Sequence, residues 1–161
     1  MGKKFTCKSE AQKRAIKRAY AVRNSKTPNE NLSNDKIPIG RTVSIYDVDM
    51  YKNPSDPTKK RTHVIIEKNS SNQLAVVPFS SKNNKHNIQL KNYLDGKTYV
   101  KPYIEVEDKE GNPLIIGDKI QANHKNQDVS KTDIKYIKYR LLNKSAVKDR
   151  NVKMLDKFRK K

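Results

Sequence analysis

Three stretches decide the fold: Gly40–Met50 (GRTVSIYDVDM), Lys59–Lys68 (KKRTHVIIEK) and Leu74–Lys82 (LAVVPFSSK). In the first, Val43, Ile45 and Val48 are separated by polar residues, which predicts a strand with one covered face. In the second, Val64-Ile65-Ile66 is an unbroken apolar run, as expected of a strand covered on both faces. Between them, Asn53-Pro54-Ser55-Asp56-Pro57 excludes both helix and central strand. The basic Lys59-Lys60-Arg61 is therefore delivered to the start of a strand beside an exposed loop, where binding side chains concentrate.

A chain of 161 residues with 34% hydrophobic content builds one modest core. Its 36 Lys/Arg against 17 Asp/Glu give a formal net charge of +19, a field that favours polyanions, RNA or DNA first. No apolar run approaches the roughly 18 residues of a membrane span, and no signal-peptide core follows Met1-Gly2-Lys3-Lys4. A cytoplasmic protein without membrane partner is expected. The single cysteine, Cys7, has no Cys or His neighbour at zinc-ligand spacing and reads as a reduced thiol, so neither metal nor cofactor is expected.

The charge divides the chain into three parts. Residues 1–39 hold ten Lys/Arg against three acids. Within them Glu10–Arg23 lacks Gly and Pro and follows a Ser9 cap, which predicts a basic helix, and residues 26–35 read as a polar linker. Lys13, Arg14, Lys17 and Arg18 outnumber the acids of this segment that could pair with them at helical spacing, so they are candidate phosphate contacts. Residues 40–142 form the main domain. Tyr99–Val106 alternates as a strand, Leu114-Ile115-Ile116 starts another that continues to Gln121, and Ser130-Lys131-Thr132-Asp133 starts a helix that turns Ile134, Ile137, Leu141 and Leu142 inward. Residues 143–161 are a basic helix or tail with Val147, Val152, Met154, Leu155 and Phe158 as its apolar positions.

In order and spacing these segments resemble the MazF/PemK family of toxin endoribonucleases. The matching pieces are Gly40 to Asp49, Lys60-Arg61-Thr62-His63-Val64-Ile65-Ile66, Val76-Val77-Pro78-Phe79-Ser80-Ser81-Lys82, Asn87-Ile88-Gln89-Leu90 and Asp118-Lys119-Ile120. Thr62 stands where the family carries proline, Lys119 where it carries glutamine, and Ala122 where it often carries a small polar residue. The resemblance implies a mainly β, α+β protein, an SH3-like small barrel to which this chain adds N- and C-terminal helices. It also implies metal-independent, sequence-selective cleavage of single-stranded RNA, a homodimer, and an acidic antitoxin protein as partner.

Cleaving RNA in this way requires activating a 2′-hydroxyl, neutralising the phosphoryl oxygens and protonating the leaving 5′-oxygen. A planar guanidinium presents paired donors to two phosphate oxygens at any working pH, which makes Arg61 the first candidate, and the resemblance selects the same residue. The resemblance also selects Ser80, with Ser81 beside it. His63 lies two residues from Arg61, on the same strand face, and is a candidate base. Lys59, Lys60 and Lys82 are candidate nucleic-acid contacts. His86 and His124 read as exposed loop residues, while Tyr46, Tyr51, Tyr93, Tyr99 and Tyr103 fit either half-buried strand positions or base stacking. The alternative function is a non-catalytic DNA- or RNA-binding protein of a plasmid, phage or transposon on the same scaffold.

Overall fold

The computed structural model describes residues 36–93, 98–117 and 119–160; the expected helix over Glu10–Arg23, with Lys13, Arg14, Lys17 and Arg18, and Cys7 lie outside the described residues. The elements are β1 (Thr42–Tyr46), a helical turn α1 (Asp47–Met50), β2 (Lys60–Lys68), β3 (Leu74–Ser80), β4 (Ile88–Gln89), β5 (Tyr99–Val100), β6 (Ile120–Ala122), α2 (Lys131–Asn143) and α3 (Lys148–Arg159). The strands form one antiparallel sheet in the order β4-β5-β3-β2-β1-β6. Its outer strands do not pair with each other, so the sheet is open among the described residues.

Both faces of the sheet's centre are covered. Val64, Ile66, Ala75 and Val77 pack with Ile134, Ile137 and Leu141 of α2 and Leu155 and Phe158 of α3. Ile65, Leu74 and Val76 pack on the other side with Ile37, Val43, Ile45, Leu114 and Ile120. The run Val64-Ile65-Ile66 is apolar because its side chains alternate between two dry faces.

A bulge at Ile66 interrupts β2, since Ile65 pairs with Val76 but Glu67 with Ala75. The extra residue turns Glu67 onto the helix face, as its pairing with Ala75 shows. There its carboxylate accepts hydrogen bonds from Lys138 Nζ (3.0 Å) and from Arg159 Nε and Nη2 (2.6 and 2.9 Å). Although burial raises the Glu67 pKa, these bonds from Arg159 and Lys138 outweigh it and hold the carboxylate below its ordinary value.

Several expected boundaries move. β1 ends at Tyr46, and Val48 belongs to α1, because Asp47 turns inward. Leu114–Ile116 forms no strand: the Leu114 carbonyl accepts from the Leu74 N–H, Leu114 is buried and Ile115 is exposed. The expected Tyr99–Val106 strand shrinks to two residues plus a bridge between Val76 and Glu105. Pro78 sits at that change of partner, where β3 lacks a donor. In α3 the buried stripe is Asn151, Leu155 and Phe158, spaced four and three apart, which leaves Val152 exposed and Val147 at the exposed N-cap.

Ser130 caps α2 as expected, accepting from the Asp133 N–H at 3.1 Å. Asp133 does not reach back to complete a capping box; its two oxygens accept from the N–H groups of Lys91 and Asn92 (3.0 and 2.9 Å) and tie the helix start to the segment after β4. No helix among the described residues is long and apolar enough to cross a membrane.

Candidate nucleic-acid interface

Arg61 pairs across the sheet with Ile45 and His63 with Val43, so both point to the face opposite the helices. Pro78 pairs with His63, and Ser80, two residues further along β3, lies on the same face. The three residues selected from the sequence thus share one face at one end of β2 and β3.

Arg61 is anchored by a residue the sequence reading did not use. Its Nε donates to Asp47 Oδ1 (3.2 Å) and its Nη2 to Asp47 Oδ2 (3.4 Å), and this partner holds the guanidinium pKa above its ordinary value. Asp47 is buried, whereas the Arg61 side chain keeps 26% of its surface exposed. A carboxylate gripping the Nε edge leaves Nη1 to face a second anion.

Beside this pair lie Tyr51 and Tyr103, whose hydroxyls are hydrogen-bonded to each other. Burial, then Tyr103, pushes the Tyr51 pKa up, so Tyr51 remains a neutral phenol. Glu105 completes the group: burial raises its carboxyl pKa, and Arg150 Nη2, donating to Oε1 at 3.2 Å, offsets part of the rise. Tyr51, Arg61, His63 and Glu105 are all shifted from their ordinary behaviour; Tyr51 feels the charges of both Arg61 and Glu105, and His63 that of Arg61. Such a group of perturbed side chains near an exposed strand start marks a candidate site.

His63 is not placed for the role of base. It is 1% exposed, and because the Arg61 carbonyl can only accept, the proton sits on Nδ1, which donates to that oxygen at 3.0 Å. Nε2 is buried without a partner, and burial lowers the pKa to about 4. No substrate atom reaches such an imidazole. Ser80 is half-buried, and its Oγ accepts from the Lys82 N–H and from Asn87 Nδ2, both at 3.1 Å, which orders the loop after β3.

Lys59, Lys60 and Lys82 are exposed, and Lys60 Nζ lies 4.9 Å from the ring centre of exposed Tyr46, its neighbour across the sheet. Tyr93 and Tyr99 are buried and unavailable for stacking; Tyr51 and Tyr103 are half-buried in the Arg61 group. A roomier recess of about 390 Å³ on the Met50, Leu114 and Ile120 side contains Asp49 and Asp108 against Lys119, a balance unsuited to a polyanion.

A second polar cluster stands at the opposite end of β1. Arg41 Nε and Nη2 donate to the Asp128 carboxylate (2.6 and 3.4 Å), and Nη1 donates to His124 Nδ1 at 2.8 Å. His124 is exposed, as its loop position predicts, and its pairing with Arg41 spans 83 residues of sequence. This cluster fixes the segment before α2, where Val129 N–H bonds to the Gly40 carbonyl. Gly40, at φ +100°, leaves no room for a Cβ, which would stand 2.4 Å from the Val129 carbonyl oxygen.

The chain matches no model of a known protein family, no curated protein and no solved structure. Among the described residues no group of three or more His, Cys, Asp or Glu is arranged to hold a metal ion. What the cluster offers is one oriented guanidinium, two phenols and one carboxylate, flanked by exposed lysines.

Proposed function

We propose that this protein is a metal-independent endoribonuclease of the MazF/PemK kind, acting on single-stranded RNA at the Arg61 end of its sheet. The observation that carries the reading is Arg61 itself, held through Nε and Nη2 by buried Asp47, with Nη1 outside that pairing and a quarter of the side chain exposed. Arg61 grips the scissile phosphate and neutralises charge as it builds up on the phosphoryl oxygens. Glu105, with its pKa raised and Oε2 not engaged by Arg150, takes the proton of the attacking 2′-hydroxyl. The 2′-oxygen bonds to phosphorus, the 5′-oxygen leaves and is protonated by solvent, and a cyclic phosphate remains. Ser80 orders the loop that carries Lys82. The scaffold is read as an SH3-like barrel laid open; its support is that the last strand, β6, returns to pair with the first.

One observation favours the second reading, a non-catalytic RNA or DNA binder: both oxygens of Asp47 are taken by Arg61 and His63 is buried, which leaves Glu105 as the base. Purified protein in EDTA should cut a panel of single-stranded RNAs to 2′,3′-cyclic phosphate ends. Arg61→Ala should slow cutting on the order of a hundredfold or more, and Glu105→Gln to a similar degree, with RNA affinity nearly kept in a chain of charge +19. Tight RNA binding without any cut product would establish the binder instead.

A further inference from the structure

Tyr103, hydrogen-bonded to Tyr51 of the Arg61 group, also lines a groove of about 190 Å³. It runs between the exposed loop before β4 and the junction of α2 with α3, and its walls carry Lys85, His86, Arg140 and Lys144. Among the described residues no acidic side chain lines it. The walls are also fixed in place. Asn84 Oδ1 accepts from the N–H groups of His86 and Asn87 (3.0 and 2.9 Å), Ser145 Oγ donates to the Pro102 carbonyl (2.7 Å), and Arg140 Nη1 donates to the Tyr136 hydroxyl (2.8 Å).

Three full cations converge on this space. The carboxyl end of α2 opposes an anion there with only about half a charge, and the start of α3 at the same junction offsets that. Lys85 and Lys144 are exposed, and neither belongs to the ion pairs Arg41–Asp128, Arg61–Asp47, Lys138–Glu67, Arg150–Glu105 and Arg159–Glu67.

We propose that this groove is a second phosphate subsite, holding the single-stranded RNA backbone next to the nucleotides at Arg61, with Tyr103 as the wall common to both sites. The inference rests on the RNA reading and extends it: the substrate is an extended strand of several nucleotides, and its affinity is divided between two basic patches. Lys and Arg contacts to phosphate carry no base preference, so the groove sets affinity and strand direction, not the cleavage sequence.

The test uses the full chain, with labelled RNA 12-mers and 3-mers titrated across a sodium chloride series. Lys85→Gln/Lys144→Gln changes only exposed side chains and keeps the fold. It should weaken 12-mer binding about tenfold, lower the salt slope by about 1.4 because two phosphates go unneutralised, and leave the 3-mer unchanged. The control Lys119→Gln/Lys125→Gln removes the same charge beside β6 at the opposite sheet edge and should change neither by as much. Equal losses in the two double variants would reduce the groove to general charge and overturn the subsite. Unchanged 12-mer binding in the groove variant, with Arg61→Ala still defective in cutting, would overturn the subsite and leave the RNA reading standing. Absence of RNA binding by the wild-type protein, or preference for duplex DNA, would overturn both.

Discussion

Protonating His63 would place a second N–H where no acceptor waits, and this makes the residue a source of acid sensitivity. Its imidazole titrates near 6.5 when unfolded and at about 4 when folded. Between those values the unfolded chain binds a proton that the native chain does not, so stability falls as pH drops from 6.5 to 4 and is flat above 6.5. The loss amounts to about 3 kcal/mol. Glu67 adds to acid lability in the same direction but at lower pH, because its folded pKa lies below an ordinary value of 4.5. Urea unfolding at pH 7.5, 6 and 5 should show a declining midpoint for the wild type and a nearly level one for His63→Leu. Parallel declines in both proteins would assign the acid sensitivity to another group. From the sequence, His63 and Arg61 were correctly placed on one strand face. What the spacing did not reveal was that the face is dry at 63 and wet at 61, a difference set by Val43, Pro78 and the core behind them.

At the scale of elements, the helices are held to the sheet by two polar devices of unequal worth. Asn151 is fully buried: its Oδ1 accepts from the Ile104 N–H at 3.1 Å, and its Nδ2 donates to the carbonyls of Pro102 (3.1 Å) and Leu141 (2.9 Å). Replacing it strands the buried Ile104 N–H and takes a donor from the buried Leu141 carbonyl, while the Pro102 carbonyl keeps Ser145 Oγ; Glu67 loses partners of which Arg159 is half exposed and readily solvated. Asn151→Ala should therefore cost about 3 kcal/mol and Glu67→Ala about 1 kcal/mol in denaturant unfolding. The reverse order would mean that the bulge at Ile66, not the helix clamp, fixes α2 and α3. The three long strands and α2 were legible because their apolar positions repeat. The bulge was not, since Val64-Ile65-Ile66 reads the same with or without it. Nor was Asn151, because a polar residue inside an amphipathic stripe reads as surface until its partners, Ile104 47 residues away among them, are seen. Two-residue strands such as β4 and β5 are shorter than any periodicity that could announce them.

For the whole molecule, the charge of +19 is carried in more than one place, and its parts should separate by salt. Residues 1–35 contain nine Lys/Arg against three acids, while the sheet end at Arg61 and the Lys85–Lys144 groove lie within residues 36–160. A cut before Lys36 keeps Ile37, which is 1% exposed and packed with Val43, Ile45 and Ile65. The shortened protein, residues 36–161, should fold with an unchanged unfolding midpoint and bind single-stranded RNA more weakly. Each phosphate that the basic segment no longer neutralises flattens the plot of log affinity against log salt by about 0.7. The slope should therefore fall by about 2 if three of those cations meet phosphate. Because such cations carry no base information, the pattern of cut sites should be the same in both proteins, even where the yield differs. Equal salt slopes would remove residues 1–35 from the RNA-binding surface. A changed cut pattern would mean that they read sequence, and that the chemistry at Arg61 depends on more of the chain than the sheet that positions it.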